Sequence, residues 1–143
     1  MWIPLGRPGA VARVAGGTEA PCLFGTVKFY PMGKNTLVVA DICGLPNSET
    51  GIFALHIHEG NSCGDSGSHY NPDMQPHPLH AGDLPPLFSC SGRGFLAVLT
   101  DRFTVKEILG RTVIVHSGPD DFKSQPSGAP GDKIACGVIA PPL

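Results

Sequence analysis

Leu23-Phe24-Gly25-Thr26-Val27-Lys28-Phe29-Tyr30 reads with a period of two: Leu23, Val27 and Phe29 share one face, Thr26 and Lys28 the other. Alternation of this kind is the signature of a strand half buried against a core. Working outward from it, the same reading predicts strands over 11–15, 36–43, 52–58, 87–90, 95–100, 112–116 and 134–139. Pro31-Met32-Gly33-Lys34-Asn35 and Ser91-Gly92-Arg93-Gly94 are hairpin turns by composition. Only 104–109 has helical character, enough for a single turn. Eight short strands with Gly and Pro between them predict an all-β chain, an antiparallel sandwich or barrel.

The bulk numbers narrow the class. A chain of 143 residues suits one domain with a sizeable core. Its net charge of −2 gives no reason to expect nucleic acid or an anionic membrane as partner. Glycine (19) and proline (15) are abundant and charged residues are only 15%, which fits a compact, turn-rich protein. Met1-Trp2-Ile3-Pro4-Leu5-Gly6-Arg7-Pro8 lacks the apolar core of a signal peptide, and no stretch is long enough to span a membrane, so a cytoplasmic location is expected. Five cysteines leave at least one unpaired, so this is not a disulfide scaffold.

Two segments break the strand rhythm. Residues 59–86 and 117–133 are rich in Gly, Pro, Asp and Ser and have no periodicity. Loops longer than about 12–15 residues without secondary structure are usually functional or disordered. Both adjoin histidines, and a bound metal would supply the order they lack.

All six histidines of the chain fall into one metal-ligand pattern. His56 and His58 lie two residues apart on a strand and project to the same face, so they can chelate one ion. His69 and His116 are available to complete that set. His69, His77, His80 and Asp83 form a second set within one loop. An imidazole deprotonated at both nitrogens can bridge two cations, so His69 can serve both. Four histidines without a thiolate suit copper, and three histidines with a carboxylate suit zinc.

Five stretches then carry a resemblance. His56-Ile57-His58-Glu59-Gly60, Gly67-Ser68-His69-Tyr70-Asn71-Pro72, His80-Ala81-Gly82-Asp83-Leu84-Pro85, Gly110-Arg111-Thr112-Val113-Ile114-Val115-His116 and Gly131-Asp132-Lys133-Ile134-Ala135-Cys136-Gly137-Val138-Ile139 are similar to the signature blocks of copper/zinc superoxide dismutases. Asp120-Asp121-Phe122-Lys123-Ser124-Gln125-Pro126-Ser127-Gly128 resembles the bacterial members. The match runs in order from about Gly25 to Ile139. It implies a single domain over 1–143, an eight-stranded Greek-key barrel. That domain would carry an N-terminal extension (1–9), a zinc and disulfide loop (59–86) and an electrostatic loop (117–133).

The resemblance also implies roles. His56, His58, His69 and His116 would hold copper; His69, His77, His80 and Asp83 would hold zinc. Asp120 matches an aspartate that links a copper histidine to a zinc histidine, and Cys63 and Cys136 match a disulfide pair. Cys22, Cys43 and Cys90 have no family role and read as small apolar strand residues, with a Cys22–Cys43 pair open. The implied reaction is disproportionation of superoxide, with His69 as proton carrier and zinc as structural partner. Lys133 stands where the family has an anion-orienting arginine; it keeps the charge without the planar fork. Lys123 either adds to that field or is a solvated surface lysine. Two further departures are the short spacing from His77 to His80 and Ala54 in place of a glycine. The competing readings are a non-catalytic copper-binding or copper-handling domain on the same fold, and a zinc hydrolase with Glu59 as base. Relatives are commonly dimers, so a homodimer is an open possibility.

Overall fold

The computed structural model describes residues 6–143; expectations that concern residues 1–5, including part of the extension over 1–9, lie outside the described residues. Its elements in chain order are β1 (Ala10–Gly16), β2 (Phe24–Met32), β3 (Asn35–Cys43), β4 (Ile52–Phe53), β5 (Leu55–His58), β6 (Leu87–Cys90), β7 (Arg93–Thr100), α1 (Val105–Ile108), β8 (Thr112–His116) and β9 (Lys133–Ala140). The alternation in β2 is real: Val27 and Phe29 are fully buried while Phe24 is 62% exposed.

The strands form one antiparallel sheet in the order β4-β6-β7-β3-β2-β1-β9-β8-β5. β4 and β5 sit at opposite ends of that order, yet only Ala54 separates them in the chain. The two ends therefore meet, and the sheet is a nearly closed barrel. β3 pairs with β7, not with the next strand in sequence, so β4–β6 form the long excursion of a Greek key.

One strand expectation needs correction. The segment 52–58 is two strands, giving nine among the described residues where eight were expected. The Ala54 amide donates to Gly118 O at 2.9 Å and its carbonyl accepts from His116 N at 2.9 Å. At Ala54 the chain passes from pairing with β6 to pairing with β8. Ala54 is fully buried, and its amide ties this point of the chain to the loop over 117–133.

Inward residues of the strands make one core that includes Val27, Phe29, Val38, Leu55, Ile57 and Val115. Phe103, just before α1, meets Phe29 edge-on at 6.2 Å, and its carbonyl accepts from the buried Thr36 hydroxyl at 2.8 Å. Glu107 of α1 accepts from Thr104 N and from Tyr70 OH. Arg111 stacks over the Tyr70 ring at 4.1 Å and donates to Glu59 O at 3.0 Å. These contacts fasten the first half of the loop over 59–86, at Glu59 and Tyr70, to the barrel.

Cys63 and Cys136 form a disulfide that joins this loop to β9. The other three cysteines are free, so Cys22 and Cys43 are not paired. Cys43 and Cys90 lie in strands as expected, whereas Cys22 does not; Cys22 and Cys90 are exposed. Cys22 precedes β2, and Cys90 ends β6 on the outer face of the barrel. No helix among the described residues is long and apolar enough to cross a membrane.

Candidate metal centre

β5 carries its apolar pair Leu55 and Ile57 into the core, which turns His56 and His58 outward. Both histidines are nonetheless buried, at 0% and 3% exposure, because the two long loops cover that face. The first loop is zipped to the strand. Glu59 N donates to Ser68 O at 2.8 Å, Tyr70 N to Ile57 O at 2.8 Å, and Ile57 N to Gly82 O at 2.9 Å. This ladder delivers His69 opposite His58 and Asp83 opposite His56. Gly82 permits the approach, since a Cβ there would overlap Ile57 O. β8 supplies His116 beyond a register shift after Val115, with its ring centroid 5.1 Å from that of His56 and 5.5 Å from that of His58.

The expected ligands converge as two sets. His56, His58, His69 and His116 each offer an atom within 4.8 Å of the others, and so do His69, His77, His80 and Asp83. His69 belongs to both sets.

The hydrogen bonds decide which ring nitrogens are left over. His56 Nε2 donates to Asp120 Oδ2 at 2.8 Å, and His58 Nδ1 donates to Gly67 O at 2.7 Å. His116 Nδ1 faces Gly131 O at 3.4 Å. Each ring keeps its other nitrogen unprotonated, and His56 Nδ1, His58 Nε2, His69 Nε2 and His116 Nε2 are buried with no partner. Buried polar atoms are seldom left unsatisfied. Four lone pairs from four rings facing one point fit a nitrogen-loving cation such as copper.

The second set passes the same test. His77 Nε2 donates to Asp120 Oδ1 at 2.7 Å, so its Nδ1 carries a lone pair. That Nδ1 lies 3.0 Å from Asp83 Oδ2 without making a hydrogen bond. Lone pair and carboxylate repel at such a distance unless a cation sits between them. His69 Nδ1 lies 2.8 Å from Asp83 Oδ1 and 3.1 Å from His80 Nδ1, and His80 Nδ1 lies 3.2 Å from Asp83 Oδ2. Tetrahedral bonds of about 2.0 Å place neighbouring ligands roughly 3.3 Å apart, so three imidazoles and a carboxylate here fit zinc.

Protonation follows from burial. Desolvation lowers His58 and His116 to about 3, only partly opposed by the Gly67 and Gly131 carbonyls. It also lowers His56 against the pull of Asp120, and His80 against that of Asp83. Burial works to raise Asp83 and Asp120, but the imidazoles beside them hold both below the ordinary carboxylate value. Neutral rings and ionised carboxylates are the forms that bind metal.

Asp120 thus has one oxygen on a ring from each set. Lys133 pairs in register with His116 and lines a cavity with His58, His69, His80 and His116. Neither the fully buried His56 nor Lys123 lines the cavity. Three supporting residues escaped sequence reasoning. Gln125 brackets His77, accepting from its amide at 2.9 Å and donating to its carbonyl at 2.8 Å. Arg102 donates to the Pro78 and His80 carbonyls at 2.8 and 3.1 Å, fixing the short segment between the two histidines. Ser66 accepts from Lys133 Nζ at 2.7 Å. All three act across long sequence separations, for which no local pattern exists.

Residues 23–139 match the family profile described as copper/zinc superoxide dismutase. Superoxide dismutase (Cu-Zn) 2 of Aquifex aeolicus (strain VF5) is 33% identical over 138 residues, 82% of this chain and 79% of the relative. The superoxide dismutase (Cu-Zn) of Photobacterium leiognathi is 35% identical over 62% of this chain and 64% of its own. The human copper chaperone for superoxide dismutase is 30% identical over 92% of this chain, which spans about half (53%) of the chaperone.

Proposed function

This chain belongs to the copper/zinc superoxide dismutase family, and from that membership we propose that His56, His58, His69 and His116 hold a catalytic copper beside a zinc held by His69, His77, His80 and Asp83. Family membership makes the protein an oxidoreductase with copper and zinc as cofactors. In the proposed reaction two superoxide ions and two protons give dioxygen and hydrogen peroxide. The observation that carries the reading is the set of buried, unpartnered nitrogens His56 Nδ1, His58 Nε2, His69 Nε2 and His116 Nε2.

Held by His56, His58, His69 and His116, copper would supply one-electron redox chemistry to this site. The chain's own residues do the rest. His69 turns Nδ1 to one set and Nε2 to the other, so Nε2 is the atom placed to hold a proton for the departing product. His77, His80 and Asp83 keep its ring in place through Nδ1. Asp120 fixes the tautomers of His56 and His77, an orienting role that carboxylates commonly play behind metal-bound imidazoles. Lys133 offers positive charge beside the copper set, which raises capture of a small anion.

The reading is tested by stopped-flow decay of superoxide with protein reconstituted with copper and zinc, the metal-free protein serving as control. The expected result is fast, copper-dependent decay that slows with salt and is lost in His116→Ala. No decay at stoichiometric copper overturns it. That outcome would leave the non-catalytic copper-handling domain, a reading favoured only by the similarity to the chaperone. A homodimer, tested by sedimentation equilibrium, completes the proposal. So does a cytoplasmic location, in which the Cys63–Cys136 bond would have to survive a reducing thiol pool.

A further inference from the structure

The Lys133 ammonium is held by the protein on two sides. Nζ donates to Ser66 Oγ at 2.7 Å and to Gly67 O at 3.1 Å. Ser66 is 4% exposed, and its own carbonyl accepts from Gly60 N at 2.7 Å, so the loop fixes the hydroxyl. Gly67 O is fixed as well, because it also accepts from His58 Nδ1 at 2.7 Å. Lysine is a flexible point charge with three donors. With two of them occupied, one N–H remains on a side chain that lines the cavity alongside His58, His69 and His116.

We propose that Ser66 is a positioning residue for the substrate anion: with Gly67 O it holds Lys133 Nζ so that a single N–H meets one end of a small monoanion above the copper ligands. The inference rests on the function proposed above. The cavity, at about 580 Å³, is far larger than a diatomic ion, so its walls cannot orient the substrate. A donor of fixed direction can. Contact through one N–H suits an anion bound end-on. It gives no advantage to a planar oxyanion that needs two parallel donors.

The test is a double-mutant cycle read by azide binding, with azide as a linear monoanion probe. Protein loaded with copper and zinc is titrated and followed by the charge-transfer absorption of azide on copper. Ser66→Ala should weaken azide binding by about 3–10-fold at unchanged copper stoichiometry, the scale of one lost hydrogen bond. Ser66→Thr, which keeps the hydroxyl, should stay within about twofold. In the Lys133→Gln background, Ser66→Ala should change affinity by less than about twofold, because the partner is gone. If Ser66→Ala does not load copper, Ser66→Gly completes the same cycle. Unchanged affinity in the single variant, or an equal loss in both backgrounds, overturns the proposal. Superoxide decay of the unmutated protein is measured alongside. Coupled azide binding without decay sinks the catalytic reading alone; decay with uncoupled azide binding sinks this inference alone.

Discussion

Gly128 abuts Asp120 so closely that a Cβ built on it would overlap Asp120 Oδ1. The same Cβ would come within 2.6 Å of His77 Nε2, and Gly128 has a φ of +82°, where side-chain-bearing residues are strained. The loop over 117–133 therefore closes on the aspartate that joins the two metal sets only because this position is a glycine. Gly128 N donates to Ser124 O, and Gly128 O accepts from Asp121 N, which makes the turn a fixed support.

Gly128→Ala should displace the Asp120 carboxylate and weaken zinc binding. Asp120→Asn tests the same link without changing volume. An amide offers one acceptor oxygen, so one of the two imidazoles now faces an N–H. Either His56 or His77 must then move its proton to the nitrogen facing the metal. Losing an orienting partner of this kind typically costs 10–100-fold in metal affinity, about 1.4–3 kcal/mol. Chelator competition for zinc and for copper measures it, and both affinities within about twofold of the parent would contradict the role given to Asp120.

The buried imidazoles give the metal-free protein a pH signature. His58 and His116 have folded values near 3 because burial disfavours the charged ring, against about 6.5 in an unfolded chain. Between those limits the unfolded state binds more protons, so stability is full above about pH 6.5 and falls as pH drops toward 3. Each of the two rings contributes on the order of 2 kcal/mol of loss by pH 5. Asp83 and Asp120, held low, add loss in the same direction below the ordinary carboxylate range. Urea midpoints of the metal-free protein at pH 7.5, 6 and 5 should decline steadily. A constant midpoint would mean that these rings are solvated before metal arrives.

Much of this architecture was legible in the residues because period-two alternation and imidazole chemistry are local signals. The strands over 87–90 and 112–116 have the predicted ends, and all six histidines lie in the two groups that could hold a metal. The break at Ala54 was not legible. Ile52, Phe53, Leu55 and Ile57 are all apolar, and the exchange of partner depends on Gly118 and His116, which lie far along the chain. The supports of the site escaped for the same reason. Gln125 on His77 pairs loop with loop and Lys133 on Ser66 pairs the start of β9 with a loop, 48 and 67 residues apart.

Arg102 makes a prediction of that long-range kind. Its guanidinium donates to the carbonyls of Pro78 and His80, so it spans the segment between two zinc-set histidines. Arg102→Ala should weaken zinc binding by roughly 3–10-fold, the effect of one or two exposed hydrogen bonds, and leave copper binding unchanged. Both bonds leave the single nitrogen Nη1, so Arg102→Lys, which keeps the charge and a donor on a shorter stem, should recover part of the loss. Separate zinc and copper titrations decide the point; equal weakening of both metals would indicate general loosening of the barrel.

The disulfide is tested through both stability and the site. Cys63 and Cys136 are 73 residues apart in sequence, and closing a loop of that length restricts the unfolded chain by about 4 kcal/mol. Replacing both by serine should lower the melting temperature by on the order of 10 °C. A local consequence separates this bond from a simple cross-link. Cys63 lies in the loop that carries Ser66 and Gly67, and Gly67 O orients His58 while Lys133 hangs from both residues. With the bond cut, that stretch retains the Gly60–Ser66 and Glu59–Ser68 backbone contacts and the Lys133 hydrogen bonds but loses its covalent tether to β9. The variant should therefore bind copper several-fold more weakly even at temperatures where it is fully folded, while zinc affinity should change less, because Arg102 and Gln125 brace the segment of the proposed zinc ligands His77 and His80. Copper affinity equal to the parent at low temperature would confine the disulfide's role to stability.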